Sequence, residues 1–181
     1  LKNVEVNGNS KGSDEFSDEE KENFLVNESF KSLATSIRFM NINDKKTKSL
    51  LVTSAKQGEG KTTVTSYLAK TLVDLGFKVL LIDADMRRPN IHKFFEIDNM
   101  VGLSNLITEP KVNLDGIIQS KVSNLDILTS GIKPPDPIYL LSSNRMKTIH
   151  ENFLSLNYDY VIYDAPPSYG LADAKVLSQI I

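Results

Sequence analysis

The chain has 181 residues, 40% of them hydrophobic, which suffices for one α/β domain with its own core and is short for two. Its formal net charge is −2 and its 21 basic residues are dispersed, which argues against nucleic acid as a partner. The absence of cysteine excludes disulfides, thiolate catalysis and cysteine-ligated metal sites, and it fits a cytosolic compartment.

The N-terminal residues 1–26 are predicted to form a flexible acidic leader. They have few periodic apolar positions, and the run 14–22 holds six acids opposed only by Lys21. No signal-peptide pattern opens the chain, and no apolar run approaches the roughly 20 residues that span a bilayer, so we expect a soluble chain. A start at Leu1 is compatible with a piece of a longer protein.

An amphipathic helix is predicted from Asn27 onward, with Asn27 as its N-cap. We expect it to pack on the core rather than to form an interface, since most amphipathic helices are core elements. Its apolar stripe consists of Phe30, Leu33, Ala34, Ile37 and Met40.

The stretch 55–62 fits the phosphate-loop pattern [GA]-x-x-x-x-G-K-[ST]. An apolar strand, 49–54, precedes it, and Val64, Tyr67, Leu68, Leu72 and Leu75 follow at helical spacing. A glycine-rich loop at a helix N-terminus can surround a phosphate chain with backbone N–H groups. Lys61 would neutralise phosphate charge, and the Thr62 hydroxyl would bind Mg²⁺. The residues predicted to bind the nucleotide are Gln57, Gly58, Glu59, Gly60, Lys61, Thr62 and Thr63.

A second strand, 77–82, follows a helix C-cap at Gly76 and leads into Asp83 and Asp85. In a parallel sheet these acids would lie at the same edge as the phosphate loop. There they could bind Mg²⁺, or one could accept a proton from a nucleophile. A solvated turn is the alternative, but the following segment 86–89 supplies two arginines that a triphosphate could use.

The middle of the chain, 90–123, predicts only short helices and turns, at 91–95, 102–107 and 114–118. His92 beside two phenylalanines is more typical of a packed or capping residue than of a catalyst. A third strand is predicted at 125–129, and a proline-rich loop, 131–137, fixes the start of the next helix. That helix is predicted over 140–153, with His150 on its outer face.

The last predicted strand, 159–164, ends in Asp164. Apolar residues ending in an aspartate fit a Walker B strand, whose carboxylate holds Mg²⁺ directly or through water. The pattern is weak alone and gains force from the phosphate loop upstream, because both would end at one sheet edge. Tyr158, Tyr160 and Tyr163 are interpreted as packing residues.

Together these segments resemble the bacterial tyrosine kinases, or BY-kinases, of capsule and exopolysaccharide systems. The resemblance covers about residues 27–181. It is carried by ESFKSLATSIRF (28–39), VTSAKQGEGKTT (52–63), VLLIDADMRRP (79–89), LDILTSGIKPPDPIYLLSSNRM (125–146) and YDYVIYDAPP (158–167).

The resemblance implies an α/β fold of the P-loop NTPase type, a three-layer sandwich with a mostly parallel sheet and helices on both faces. It implies a cytoplasmic catalytic domain that uses ATP and Mg²⁺ to phosphorylate tyrosines. Lys61, Asp83, Asp85 and Arg87 would be catalytic, with Asp83 as the candidate base. The metal would be held by Thr62, Asp83 and Asp164.

The resemblance also implies partners: protein tyrosine substrates, further copies of the chain, and a membrane activator of the polysaccharide co-polymerase type. Through such an activator, or a fused upstream segment, the domain would lie at the inner face of the membrane. The family's ring motif, Glu-x-x-Arg-x-x-Arg, is here Glu28, Lys31 and Ala34, so the sequence does not support ring assembly through it. Family members continue into another strand and a tyrosine-rich tail, which this chain is expected to lack.

A ParA- or MinD-like ATPase, a nucleotide-gated dimerisation switch, is the alternative function. Lys56 stands where that group carries a signature lysine. The segment Arg87-Arg88-Pro89 and the opening helix favour the kinase, a judgement made by analogy.

Overall fold

The computed structural model describes residues 18–40 and 47–181. The strands are β1 (Lys48–Val52), β2 (Val79–Asp83), β3 (Gln119–Val122), β4 (Leu125–Leu128) and β5 (Tyr160–Asp164). The helices are α1 (Asp18–Phe39), α2 (Lys61–Asp74), α3 (Ile91–Phe95), α4 (Leu103–Thr108), α5 (Pro137–Leu141), α6 (Asn144–Ser155) and α7 (Asp173–Leu177), with a 3₁₀ turn at Leu114–Gly116. Within these described ranges, no helix combines the length and the apolar character needed to cross a membrane.

The five strands form one sheet in the order β1-β5-β2-β4-β3. All neighbouring strands are parallel except β3, which pairs antiparallel with β4. In the register, Asp164 of β5 lies between Val52 of β1 and Asp83 of β2. The phosphate loop and the predicted aspartates therefore leave the sheet side by side.

Helices cover both faces of the sheet, which confirms the predicted three-layer α/β fold. Every residue of β2 and β5 is buried, as expected for strands that are apolar on both faces. On one face the core includes Ala34 of α1, Leu72 of α2 and Ile91 of α3. On the other it includes residues of α4 to α7, Phe153 of α6 among them.

Helix α1 begins at Asp18, so the predictions of a leader up to residue 26 and of an N-cap at Asn27 are wrong for the described part. Glutamate, lysine and leucine are strong helix formers, and they make up much of the run 18–26 despite its charge. The predicted leader otherwise lies in 1–17, outside the described residues. Leu33 and Met40 of the predicted apolar stripe are exposed, whereas Ala34 is fully buried.

Helix α2 faces the sheet with small residues rather than with the whole predicted stripe. Leu68 and Leu72 are buried as predicted, but Val64, Tyr67 and Leu75 are exposed. Buried Thr65, Ser66 and Ala69 occupy part of the sheet side instead. Tyr67 stacks on Phe30 of α1 at a ring distance of 5.3 Å, which joins the two helices.

Helix α2 ends in a Schellman motif, as the C-cap prediction at Gly76 requires. The Phe77 N–H donates to the Leu72 carbonyl at 3.1 Å, and the Gly76 N–H donates to the Val73 carbonyl at 2.8 Å. Gly76 has φ +91°, a value that side chains disfavour.

The predicted helix 140–153 is two helices, α5 and α6, separated at Ser142 and Ser143. Ser143 caps α6, because its Oγ accepts the Met146 N–H at 3.1 Å. Asp136 caps α5, with Pro137 in its first turn. The proline-rich loop therefore does fix a helix start, although the helix is shorter than predicted.

His150 is buried, so its prediction on the outer face of the helix is wrong. Its Nδ1 lies 2.8 Å from the Tyr163 hydroxyl of β5. The apolar face of α6 includes position 150, and the tyrosine supplies the polar partner that a buried imidazole needs. Burial lowers the pKa of His150, with the nearby Glu151 acting weakly in the opposite direction.

Replacing His150 by Leu should lower the unfolding free energy by about 1–3 kcal/mol at pH 8, because the buried Tyr163 hydroxyl loses its partner. Because the pKa of His150 is lowered in the folded state, the stability that neutral His150 contributes is present above pH 6.5, its unfolded pKa, and is lost as pH falls. The deficit of the variant should therefore shrink towards pH 5 in urea titrations. Tyr163→Phe, which keeps the titrating group, should show a deficit that changes much less; a His150→Leu deficit that grows at low pH would contradict the assignment.

Candidate active site

The phosphate loop joins β1 to α2 through two glycines in left-handed conformations. Gly58 has φ +83° and Gly60, the N-cap of α2, has φ +78°. Apart from the neighbouring residues in the chain, no heavy atom in the described part of the structure lies within 4 Å of a Cβ placed on either glycine, so the space above the loop is open there. The Glu59 carboxylate accepts the Lys56 N–H at 3.0 Å, which braces the loop from within. The loop thus has the shape that admits a phosphate chain.

Four predicted site residues meet where β5 ends. The Thr62 hydroxyl donates to Asp164 Oδ2 at 2.6 Å. Lys61 Nζ donates to Asp85 Oδ2 at 2.9 Å and lies 3.9 Å from Asp164 Oδ1. Lys61 and Thr62, at the start of α2, therefore bridge the carboxylates that follow β2 and end β5.

Asp164 is fully buried, and this burial raises its pKa. Lys61 opposes the rise by attraction, and the hydroxyls of Thr62 and Thr65 oppose it by hydrogen bonding. The carboxylate is therefore held by groups that favour its charged form. A cation that approached Asp164 would meet a carboxylate that the Thr62 hydroxyl already orients.

Asp83 is also fully buried, but its carboxylate faces the backbone that follows it. Its Oδ2 accepts the N–H groups of Asn90 and Ile91, both at 3.0 Å, and its Oδ1 accepts the Asp85 N–H at 3.2 Å. Burial, and after it the charge of Asp164, raises the pKa of Asp83 to about 8. Asp83 thus holds the turn that carries Asp85, and its predicted roles as base and metal ligand stay predictions.

A cavity of about 740 Å³ opens over the phosphate loop. Arg88 and Lys93 lie on its lining, and so do all the residues predicted to bind the nucleotide except Glu59. Of the four predicted catalytic residues, Lys61, Asp85 and Arg87 line the cavity, and Asp83 does not.

Arg87 lines the cavity and also forms an ion pair that was not predicted from the sequence. Its Nε donates to Asp173 Oδ1 at 3.0 Å, and the Asp173 side chain is only 1% exposed. Asp173 Oδ2 has no hydrogen-bond partner among the described residues. The two residues are far apart in the chain, so no local pattern could have indicated the contact.

Replacing Arg87 by Leu should lower the unfolding free energy by about 3 kcal/mol, because it leaves the buried Asp173 carboxylate unpaired. The double variant Arg87→Leu, Asp173→Leu should regain most of that loss in denaturant titrations. If Arg87 also contacts phosphate, the transfer rate should stay low in the double variant. Recovery of both stability and rate would make Arg87 purely structural.

The site also suits a Mg²⁺ ion that is held partly by phosphate. Among residues 18–40 and 47–181, no three His, Cys, Asp or Glu side chains converge as a metal-binding group. Mg²⁺ is usually held by one or two carboxylates together with substrate phosphates and waters, rather than by a cage of protein ligands. The oriented Asp164 carboxylate and the Thr62 hydroxyl beside an open loop fit that requirement.

Comparisons with known proteins agree with this geometry. Residues 47–179 match a family model described as an AAA domain. The Staphylococcus aureus protein named "Putative tyrosine-protein kinase CapB" is 37% identical over 162 residues, covering 90% of this chain and 70% of CapB. The chain belongs to the bacterial tyrosine-protein kinase family. The predicted resemblance to BY-kinases is thereby confirmed.

Solved structures favour the kinase over the switch ATPase. The kinase domain of the Escherichia coli tyrosine kinase ETK superposes with a TM-score of 0.79 at 35% identity, covering 86% of this chain and 60% of that one. The septum site-determining protein MinD of Pyrococcus horikoshii, solved with Mg-ADP, gives 0.60 at 25% identity, covering 74% of this chain and 54% of that one. As a member of this family of BY-kinases, the chain is a nucleotide-using P-loop protein.

Proposed function

We propose that the chain is the catalytic domain of an ATP-dependent protein tyrosine kinase that acts in capsular or extracellular polysaccharide synthesis. One observation carries the proposal: Lys61, Thr62, Asp85 and Asp164 converge beside the open phosphate loop. The nucleotide phosphates would lie along the loop, and the acceptor tyrosine would enter from the wall that carries Arg87, Arg88 and Lys93.

Phosphoryl transfer requires little covalent help from the protein, so positioning and charge neutralisation should supply most of the acceleration. Lys61 would exchange its contact with Asp85 for the β- and γ-phosphates. Thr62 and Asp164 would hold Mg²⁺, which would supply further charge neutralisation for the phosphates. Arg87, fixed by Asp173, would present its remaining N–H groups to the phosphates.

The acceptor hydroxyl needs a base, because a tyrosine with a pKa near 10 is a poor nucleophile at neutral pH. Asp85 is our candidate, since it lines the cavity and its position is fixed from behind by Asp83. For Asp83 to act as base or metal ligand, as the sequence suggested, its carboxylate would have to leave the Asn90 and Ile91 amides. If Asp83 instead keeps these hydrogen bonds, its main role would be to position Asp85.

The proposed partners are tyrosine-bearing proteins, further copies of the chain and a membrane activator of the polysaccharide co-polymerase type. Through that activator the domain would work at the cytoplasmic face of the membrane. Assembly through the ring motif is not proposed. Glu28 and Lys31 pair with each other at 2.9 Å, and Ala34 is buried in the core.

The deciding experiment is incubation with γ-labelled ATP and Mg²⁺, with and without a membrane activator, followed by mapping of phosphotyrosine. Transfer of the label to tyrosine is the expected result. Release of phosphate without any phosphotyrosine would favour a switch ATPase and contradict the proposal.

A further inference from the structure

The six tyrosines of the chain differ sharply in access to solvent. Tyr160 and Tyr163 are at most 2% exposed. The hydroxyl of Tyr158 donates to Asp126 Oδ2 at 2.6 Å, and Tyr67 stacks on Phe30. Four of the six are therefore occupied by the fold and are poor acceptors for a phosphoryl group.

The two most exposed tyrosines are Tyr139, which is 71% exposed, and Tyr169, which is 81% exposed. Tyr139 is part of helix α5, and Asp136 holds its N–H as the helix cap. A tyrosine on a helix can enter a cavity only if the helix approaches with it, and the bulk of the helix obstructs that approach. Tyr169 belongs to an irregular segment and precedes Gly170, whose φ is +75°. Tyr169 is therefore the more accessible acceptor.

The backbone of Tyr169 is attached to the phosphate loop of its own chain. Its N–H donates to the Ala55 carbonyl at 3.1 Å, and the preceding Ser168 N–H donates to the Ser54 carbonyl at 2.8 Å. Pro167 and Leu171, on either side, line the cavity, but Tyr169 does not. The Tyr169 side chain is therefore next to residues that line the cavity, but it is exposed to solvent and is not itself part of the lining.

We propose that Tyr169 is a phosphorylation site modified by a second copy of this chain, an inference that rests on the proposed kinase function. The phenolic oxygen bonds to the γ-phosphorus of ATP held by the other copy. The bond from that phosphorus to the β–γ bridging oxygen breaks, ADP leaves with the electron pair, and the phenolic proton passes to Asp85 of the other copy, the base proposed above.

Transfer within one chain is disfavoured by the attachment of Tyr169. In-line attack requires the hydroxyl within about 3–3.5 Å of the phosphorus, inside the cavity. A residue whose backbone is fixed to Ser54 and Ala55, and whose side chain is exposed outside the cavity lining, does not reach that geometry without losing those hydrogen bonds. Two copies whose cavity rims face each other would place the Tyr169 of each beside the cavity of the other.

A mixing experiment tests the proposal. The active 181-residue chain is incubated with γ-labelled ATP, Mg²⁺ and a tagged Lys61→Met chain, which serves only as acceptor, and phosphotyrosine is mapped by mass spectrometry. A synthetic Glu–Tyr copolymer in parallel reactions reports kinase activity independently. We expect phosphate on Tyr169 of the tagged chain, at least tenfold less total label with Tyr169→Phe in that chain, and little change with Tyr139→Phe.

Each other outcome is decisive. Copolymer labelling without phosphate on Tyr169 would overturn this inference and leave the proposed function intact. Phosphate on Tyr169 of the active chain alone, at a rate independent of concentration, would show transfer within one chain and overturn the inference. No label on copolymer or chain, even with a membrane activator, would remove the proposed function and the inference together.

Discussion

A Lys61→Met variant should transfer phosphate to tyrosine at least 10²–10³-fold more slowly than the wild type, comparable to the loss of one preorganised charge-stabilising group in other enzymes. In the structure, Lys61 is the cation between Asp85 and Asp164. Without it, the nucleotide phosphates would face these two carboxylates without compensation. Initial rates with γ-labelled ATP and a Glu–Tyr copolymer measure the effect.

Lys56→Met is the matched control, because Lys56 belongs to the same loop but is exposed and does not line the cavity. The kinase proposal predicts a change of less than about threefold in copolymer phosphorylation, since an exposed charge outside the cavity lining contributes little. A loss at Lys56 as large as that at Lys61 would instead support a site in which Lys56 contacts a nucleotide. Unchanged transfer in Lys61→Met would refute the site assignment.

The second large effect is expected from Asp85→Asn, which should slow transfer by about 10²–10⁴-fold, the usual contribution of a general base. The amide keeps the shape of the side chain but cannot take the proton of the acceptor tyrosine. ADP affinity, measured by fluorescence without Mg²⁺, should change far less, because the loop glycines and Lys61 remain.

Asp83→Asn is the informative comparison, because the two aspartates are neighbours in sequence but make different contacts. An amide N–H₂ at position 83 would face backbone N–H donors, so we expect the unfolding free energy to fall by about 1–3 kcal/mol. If Asp83→Asn slows transfer more than Asp85→Asn while leaving stability unchanged, Asp83 is the base, as the sequence originally suggested. Urea titrations and single-turnover rates on both variants separate the two cases.

The parallel core of the fold was predictable because its strands are continuous apolar runs. The apolar runs leading to Asp83 and Asp164 predicted buried strands, and both strands are buried throughout. Strand β3 was missed because Gln119–Val122 is mostly polar and lies at the sheet edge. The pairing with β4 makes this segment a strand, although its own sequence does not indicate one.

The candidate site was predictable where it follows from chain topology and not where it depends on long-range contacts. Lys61, Thr62 and Asp164 meet because parallel strands bring their carboxyl ends together. The Arg87–Asp173 pair and the anchoring of Asp83 to the Asn90 amide depend on how separate loops fold against each other. No local spacing encodes such contacts.

Strand β1 leads into the phosphate loop and also forms one edge of the sheet. It is the first strand in the sheet order, and no described strand pairs with its outer side. Leu50, Leu51 and Val52 are only partly buried, unlike the residues of β2 and β5. An apolar edge with unpaired backbone groups is a template for strand addition and for aggregation. The strand that leads into the nucleotide site is therefore also an edge at which this sheet can grow.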